Sequence, residues 1–275
     1  MHSWDALIDL AIAEDLGPGD ITTEPIVGHG RSGRGVLVAK EPMVVAGLDV
    51  ARAVFRRVDP AAVFTSRCAD GERAESAATL AVVEGTLTGL LTGERTALNF
   101  LQRLSGVATL VRRYADAIAG SGARLVDTRK TTPGWRTLEK YAVRMGGGQN
   151  HRMGLYDGVL IKDNHIAVAG GIAAAVKRVR RRVSHLTRIE VEVTSMEEVR
   201  EALSAGVEVI MLDNMHLDQV REAVSFIAGK ALVEVSGNVT LETLPSLASA
   251  GVDIISVGAL THSARAVDIS MAITP

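Results

Sequence analysis

Cysteine, aromatic side chains, net charge and long apolar runs are all scarce in this 275-residue chain. Cys68 is the single cysteine, which excludes an intramolecular disulfide and a cysteine-based zinc site. A small packing role is expected for it. Thirty basic side chains face 32 acidic ones, leaving a net charge of -2. Bulk electrostatics therefore give no reason to expect nucleic acid or an anionic membrane as partner, and any cationic site must be local. The longest nearly apolar run, Ile166 to Val176, contains Gly170-Gly171 and is too short to span a bilayer. The first residues, Met1-His2-Ser3-Trp4-Asp5, lack a basic n-region. These features lead us to expect a soluble, cytoplasmic protein. No phosphate-loop motif of the G-x-x-x-x-G-K-[ST] type occurs, and no fixed-period repeat. Gly28-His29-Gly30-Arg31-Ser32-Gly33 does satisfy G-x-G-x-x-G. It leads into the β-prone Val36-Leu37-Val38 instead of opening a helix, so a glycine turn is the better reading.

Taken in order, Trp4, Leu7, Ile8, Ala11 and Ile12 recur at helical spacing, with Ser3 as an N-cap candidate. An amphipathic helix is expected there, ended by the turn-rich segment Glu14 to Asp20. From Gly33 to about Thr92 short β-prone runs alternate with glycine, proline and charge, around a helix near Ala51–Val58. That pattern predicts a small α+β domain. A long helical region follows from Gly93 to about Gly120, which Ser105-Gly106 is predicted to kink or break. The boundary is placed here, giving an N-terminal domain over residues 1–106 and a second domain over 107–264. The tail 265–275 is expected to pack back on the first.

Beyond Gly122 the rhythm changes. β-Branched runs at Arg124–Asp127, Val159–Lys162, Ile189–Val193, Val207–Asp213, Leu232–Ser236 and Ile254–Gly258 are separated by helical stretches. One of these, opened by the capping box Ser195-Met196-Glu197-Glu198, ends at Gly206. Strand–helix alternation predicts a parallel sheet, and the charged or hydroxyl residues closing most strands favour an α/β barrel. A doubly wound sheet would place a glycine-rich turn after its first strand, where Asp127-Thr128-Arg129-Lys130 stands.

In a barrel those strand ends converge. Arg129, Lys130 and Lys162 then supply positive charge, and Glu192 and Asp213 negative charge, with Glu190 on the same face of its strand as Glu192. An interior ion pair is the bland alternative for Glu190. Ser236-Gly237-Asn238 and Gly258-Ala259, with His262, follow the last two strands. They would offer backbone N–H groups to phosphate at helix N-termini. The basic run Lys177 to Arg182 is read as a solvated helix face.

The segments Glu14 to Thr23, Glu94-Arg95-Thr96-Ala97-Leu98-Asn99, Asp127 to Thr131, Asn150-His151-Arg152, Ile161 to His165, Leu212-Asp213-Asn214, Glu234 to Asn238 and Gly258 to Ser263, in that order, resemble the quinolinate phosphoribosyltransferase family over nearly the whole chain. The resemblance implies an incomplete α/β barrel preceded by an N-terminal open-faced α+β sandwich, assembled as a homodimer. It implies that quinolinate and phosphoribosyl pyrophosphate (PRPP) react, with Mg2+, to nicotinate mononucleotide, pyrophosphate and carbon dioxide. It further implies that Arg129, His151 and Arg152 hold the two quinolinate carboxylates and that Arg95 arrives from the neighbouring subunit. Lys130 and Lys162 would contact both substrates. Glu192 and Asp213 would face the ribose hydroxyls or the metal, and the late loops would take phosphate. A paralogous phosphoribosyltransferase acting on another acid, or a non-catalytic barrel that binds phosphorylated metabolites, are the competing readings.

Overall fold

The apolar runs of the first hundred residues pair as an antiparallel sheet that borrows its outer strand from the far end of the sequence. A computed structural model describes residues 4–28 and 30–275. These residues divide into two units that interleave along the chain. The first comprises the segments up to Arg112, Thr131–Gly147 and Ala259–Pro275. The second comprises Arg113–Lys130 and Gly148–Gly258. Each unit is thus assembled from segments that are not continuous in sequence.

The first unit opens with α1 (Asp5–Leu16) and α2 (Thr23–Val27). Strands β1 (Ser32–Ala39) and β2 (Met43–Val44) lead to α3 (Leu48–Val58), then β3 (Val63–Ser66), β4 (Arg73–Ala74) and β5 (Thr79–Thr86). The glycine-rich turn at 28–33 does run into a strand, and Gly28 and Gly30 both have positive φ, while His29 lies outside the described residues. The strand order β12-β1-β5-β3 includes β12 (Ile269–Thr274), which pairs antiparallel with β1 from Arg34↔Thr274 to Ala39↔Ile269. Helix α3 packs on β3, and α1 on α3, where Arg57 pairs with Asp5 and Asp9. This is the open-faced sandwich. Cys68 donates weakly to the Leu80 carbonyl, and burial, then the charges of Glu72 and Asp70, push its thiol up to about 11. That suits a packing residue and not a nucleophile.

Two expectations fail here. Helix α1 is not cleanly amphipathic: Ile8 is fully buried, but Leu10 is 65% exposed and apolar residues spread around the cylinder. Ser3 lies outside the described residues. Nor does Ser105-Gly106 break the long helix, because α4 runs unbroken from Leu87 to Ala117. The buried Ser105 hydroxyl instead accepts the Ala46 N–H at 3.0 Å, and Thr109 accepts the Val44 N–H at 2.8 Å. Helix hydroxyls thereby satisfy backbone donors of the segment around β2. Gly106 is there for closeness: a Cβ at this position would lie 2.0 Å from the Arg265 carbonyl oxygen. Helix α5 (Arg136–Met145) completes this part, preceded by Trp135 stacked on Phe100 with ring centroids 4.7 Å apart.

The second unit is the barrel. Strands β6 (Arg124–Val126), β7 (Val159–Ile161), β8 (Ile189–Val193), β9 (Val209–Asp213), β10 (Leu232–Ser236) and β11 (Ile254–Ser256) are parallel and arranged β6-β11-β10-β9-β8-β7. First and last strands are neighbours, and β6 and β7 are the two ends of the sheet, so the barrel is incomplete. The crossovers carry α6 (Asp163–Ala169), α7 (Ile172–Arg180), α8 (Met196–Ser204), α9 (Leu217–Ile227) and α10 (Leu244–Ala248). Each of the six apolar runs read from the sequence supplies one strand. The capping box before α8 is half realised. Ser195 accepts the Glu198 N–H, but the Glu198 carboxylate turns to the N–H and hydroxyl of Thr194.

Because Gly106 leaves no room for a methyl group against fixed backbone, Gly106→Ala should lower stability by about 1–3 kcal/mol. Gly120→Ala, where no atom lies within 4 Å, loses less and only through its positive φ. Urea midpoints of the two variants, compared with the parent, measure the difference.

Candidate active site

Parallel register brings the strand ends to one rim. Ser236 is level with Asp213, Val193 with Leu212, Ile161 with Val191, and Ser256 with Val126. Immediately beyond them stand Asp127, Lys162 and, a residue later, Gly258. Arg129 and Lys130, both exposed, continue from β6, with the Lys130 N–H donated to the Thr128 hydroxyl.

Asp127 is completely buried at this rim. Its carboxylate accepts the Asn150 amide at 2.6 Å and the His151 backbone N–H at 2.9 Å. Gln149 forms a parallel bridge with Val126, donating its N–H to Leu125 and accepting that of Asp127. The segment 149–152 is thereby laid alongside β6. His151 turns towards two buried glutamates: Nε2 lies 3.0 Å from Glu190 and 3.7 Å from Glu234, while Nδ1 accepts the Arg152 N–H at 2.8 Å. The partner of Glu190 is thus a histidine, not the lysine that an interior ion pair would supply. A cavity of about 360 Å³ adjoins the group, lined by Arg124, His151, Arg152, Arg188, Glu190 and Glu234 among others. Arg152 donates to the Gly158 carbonyl at 3.1 Å. Its pKa is lowered by burial first, and next by the nearby Arg129 guanidinium, so the two arginines repel each other.

On the next strands Lys162 is ion-paired with Glu192. Asp213 accepts the side-chain amide of Asn214, whose backbone sits at φ 54°. Asn214 also donates its N–H to Ser236 and accepts the Asn238 amide at 2.9 Å. Gly237 (φ 89°) cannot be larger, since a Cβ there would meet Asn214 at 2.3 Å. Lys162 and Glu192 thus form one pair, while Asn214 links Asp213, Ser236 and Asn238. Of the helix N-termini expected after the last two strands, only the one after Gly258 directly follows its loop. Helix α10 starts only at Leu244 and has five residues, and α11 (Ala259–His262) has four. Turns, not extended helices, carry these loops.

Arg95, Ala259 and His262 belong to the first unit. Arg95 is exposed on α4. Helix α11 is held from α4: Arg103 donates to the carbonyls of Thr261, at 2.6 Å, and of Ala264. The same guanidinium pairs with the buried Glu139 at 2.8 Å, and Glu139 accepts both the N–H and hydroxyl of Thr132. Asp127, Asn214, Glu234, Arg103 and Glu139 are the organising residues that sequence reading left without a role. A hydrogen-bonding side chain inside an apolar run, as at Glu234, was the available signal.

Two family models cover the chain: the N-terminal domain of quinolinate phosphoribosyl transferase matches residues 20–105, and its C-terminal domain matches residues 107–272. The chain belongs to the quinolinate phosphoribosyl transferase family. Within the family it is 43% identical over 268 residues to a probable carboxylating nicotinate-nucleotide pyrophosphorylase of Bacillus subtilis, covering 98% of this chain and 92% of the relative. The corresponding Synechocystis protein is 47% identical over 265 residues, with 95% and 90% covered. The crystal structure of NadC from Streptococcus pyogenes superposes with a TM-score of 0.95 at 41% identity, covering 98% of this chain and 96% of that one.

Burial, and next the charge of Glu190, push the Glu234 carboxyl up to about 8 from an ordinary 4.5. Folding then favours the protonated form, so this group's contribution to stability falls as pH rises from about 4.5 through about 8. Glu234→Gln, which stays neutral, should flatten that stretch and exceed the parent by up to about 5 kcal/mol above it. Denaturant midpoints measured from pH 5 to about 9 read the effect; parallel curves for the two proteins would contradict it.

Proposed function

We propose that this protein transfers the phosphoribosyl group of PRPP to quinolinate with loss of carbon dioxide, giving nicotinate mononucleotide and pyrophosphate. That is the carboxylating nicotinate-nucleotide pyrophosphorylase reaction of NAD biosynthesis, and the relatives' names support it. The observation that carries it is the pair of mutually repelling guanidiniums, Arg129 and Arg152, held at a barrel rim that also bears Lys162. A planar dicarboxylate relieves that repulsion and matches arginine's bidentate donors. Arg129 and Arg152 grip the acid with His151 at their base, and Lys130 and Lys162 lie between the acid and PRPP. Ser236, Gly237, Asn238 and Gly258 take phosphate.

The pyridine nitrogen attacks the ribose anomeric carbon, and the bond to pyrophosphate breaks through an oxocarbenium-like state. Glu192 and Asp213 stabilise the developing positive charge. The bond from C2 to its carboxylate then breaks and carbon dioxide leaves. The electron pair stays on C2 beside the ring cation, and solvent supplies the proton. Since the substrate stabilises its own carbanion, no dedicated base is needed. Two carboxylates on neighbouring strands, Glu192 and Asp213, are an oxygen donor set that fits Mg2+, which would also bind PRPP oxygens and water. When bound, the ion would supply charge to offset that of pyrophosphate. Glu192 would release Lys162 to phosphate in exchange.

The purified protein with Mg2+ and PRPP is expected to release carbon dioxide from quinolinate and to leave nicotinate unribosylated. Equal turnover of nicotinate would point to a paralogue with another acid, and no turnover of either to a binding barrel. The working form is proposed to be a cytoplasmic homodimer in which the exposed Arg95 completes the neighbouring site. No helix among the described residues is long and apolar enough to cross a membrane. Arg95→Ala and Lys130→Ala subunits, each nearly inactive alone, should regain about a quarter of parental activity when mixed, as one restored site in half of the dimers requires. Verified mixed dimers without recovery would exclude a shared site.

A further inference from the structure

His151 is engaged at both ring nitrogens by its own unit. With Nδ1 accepting the Arg152 N–H at 2.8 Å, the neutral ring carries its proton on Nε2, which points at Glu190 Oε2 3.0 Å away. Glu190 and Glu234 come from β8 and β10, one strand removed from each other, and are 7% and 1% exposed. The Oε1 atom of each is buried without a hydrogen-bond partner. Leaving two carboxyl oxygens unsatisfied in an interior is costly, and hydrophobic residues would fill the same strand positions more cheaply. The acids therefore have a use beyond filling the barrel.

We propose that Glu190 and Glu234 are positioning residues that clamp His151. Glu190 accepts the Nε2–H at 3.0 Å, and Glu234 lies 3.7 Å from the same nitrogen, near enough to act on it by charge. The clamp fixes both the ring's orientation and its tautomer. Nδ1 is then always an acceptor, so it holds the Arg152 backbone and aims the guanidinium at the acid substrate. In this arrangement the chain Glu190–His151–Arg152 sets acid affinity from inside the barrel, without either glutamate touching substrate. Arg152 is restrained from its other end by the Gly158 carbonyl, so its remaining freedom is the part the clamp controls. The inference deepens the quinolinate reading and rests on it only for the kinetic arm of its test.

That test has two arms. Nitrogen-15 NMR of the histidine rings in the full-length protein should show His151 protonated at Nε2 and bare at Nδ1, whatever the enzyme acts on. In Glu190→Ala the two tautomers should mix. Kinetically, Glu190→Ala should raise KM for quinolinate about tenfold or more and change KM for PRPP by less than about twofold. Glu190→Gln, whose amide oxygen still accepts from Nε2, should stay within about threefold of the parent on both. A parental His151 protonated at Nδ1 would overturn the clamp. So would equal losses in the alanine and glutamine variants, or an alanine variant with unaltered quinolinate KM. If Glu190→Ala does not fold, the parental spectrum and the glutamine variant still decide. Absence of any turnover by the parent would count against the quinolinate reading alone, since the spectrum does not depend on it.

Discussion

The Asp127 carboxylate is the fixed point of the barrel rim. It lies at the end of the first barrel strand, wholly buried, and accepts from the Asn150 side chain and the His151 main chain. Charge-assisted hydrogen bonds of this kind are worth about 1.5–3 kcal/mol each, and losing the acceptor would strand both donors away from water. More depends on it than stability. The segment that returns alongside β6 carries His151 and Arg152, and their order along the backbone forces them to opposite tasks. The histidine turns to the interior glutamates and the arginine to Gly158 and the rim. The bridge between Val126 and Gln149 is a further tie of that segment to β6.

A nearly neutral protein cannot attract polyanions by its overall field, so it must concentrate charge and prevent that charge from cancelling itself. The rim does so by separating kinds of contact. Arg129 and Arg152 are close enough to oppose one another, a tension that an anion resolves. Lys162 is instead kept in check by Glu192, and Asp213 by the neutral amide of Asn214. Ligand binding at such a rim exchanges partners instead of creating charge, which limits the desolvation each newcomer must overcome. The left-handed backbone at Asn214 and the absent side chain at Gly237 let two loops share one amide. They are small local strains that fix a longer-range arrangement.

Much of the architecture was legible because it is local. Each barrel strand announces itself as a β-branched run, and the alternation with helices dictates parallel pairing. What failed was also local reading, applied where tertiary contact prevails. Ser105 and Gly106 look like a helix break, yet the hydroxyl accepts the Ala46 N–H and the glycine admits the Arg265 carbonyl. Glu198 satisfies Thr194 in place of Ser195, a choice between adjacent donors that spacing cannot make. Charged rim residues such as Arg129 and Lys162 stood out by contrast with the strands they follow. Glu234, His151 and Glu190 did not stand out as a group, because 83 residues separate the first two and only the barrel winding brings them together.

Strand β12 carries one more consequence, for the order in which the molecule can be made. It supplies an outer strand of the antiparallel sheet from residues 269–274, and the first unit also needs 131–147 and 259–275. On a ribosome the barrel has all its strands once residue 256 has emerged, while the sandwich, begun first, still lacks a strand. Until then β1 from Arg34 to Ala39, with its buried Leu37 and Ala39, is an unpaired edge able to recruit strands from other chains. The vulnerable interval thus opens with β1 and closes only when residues 269–274 are available to pair with it.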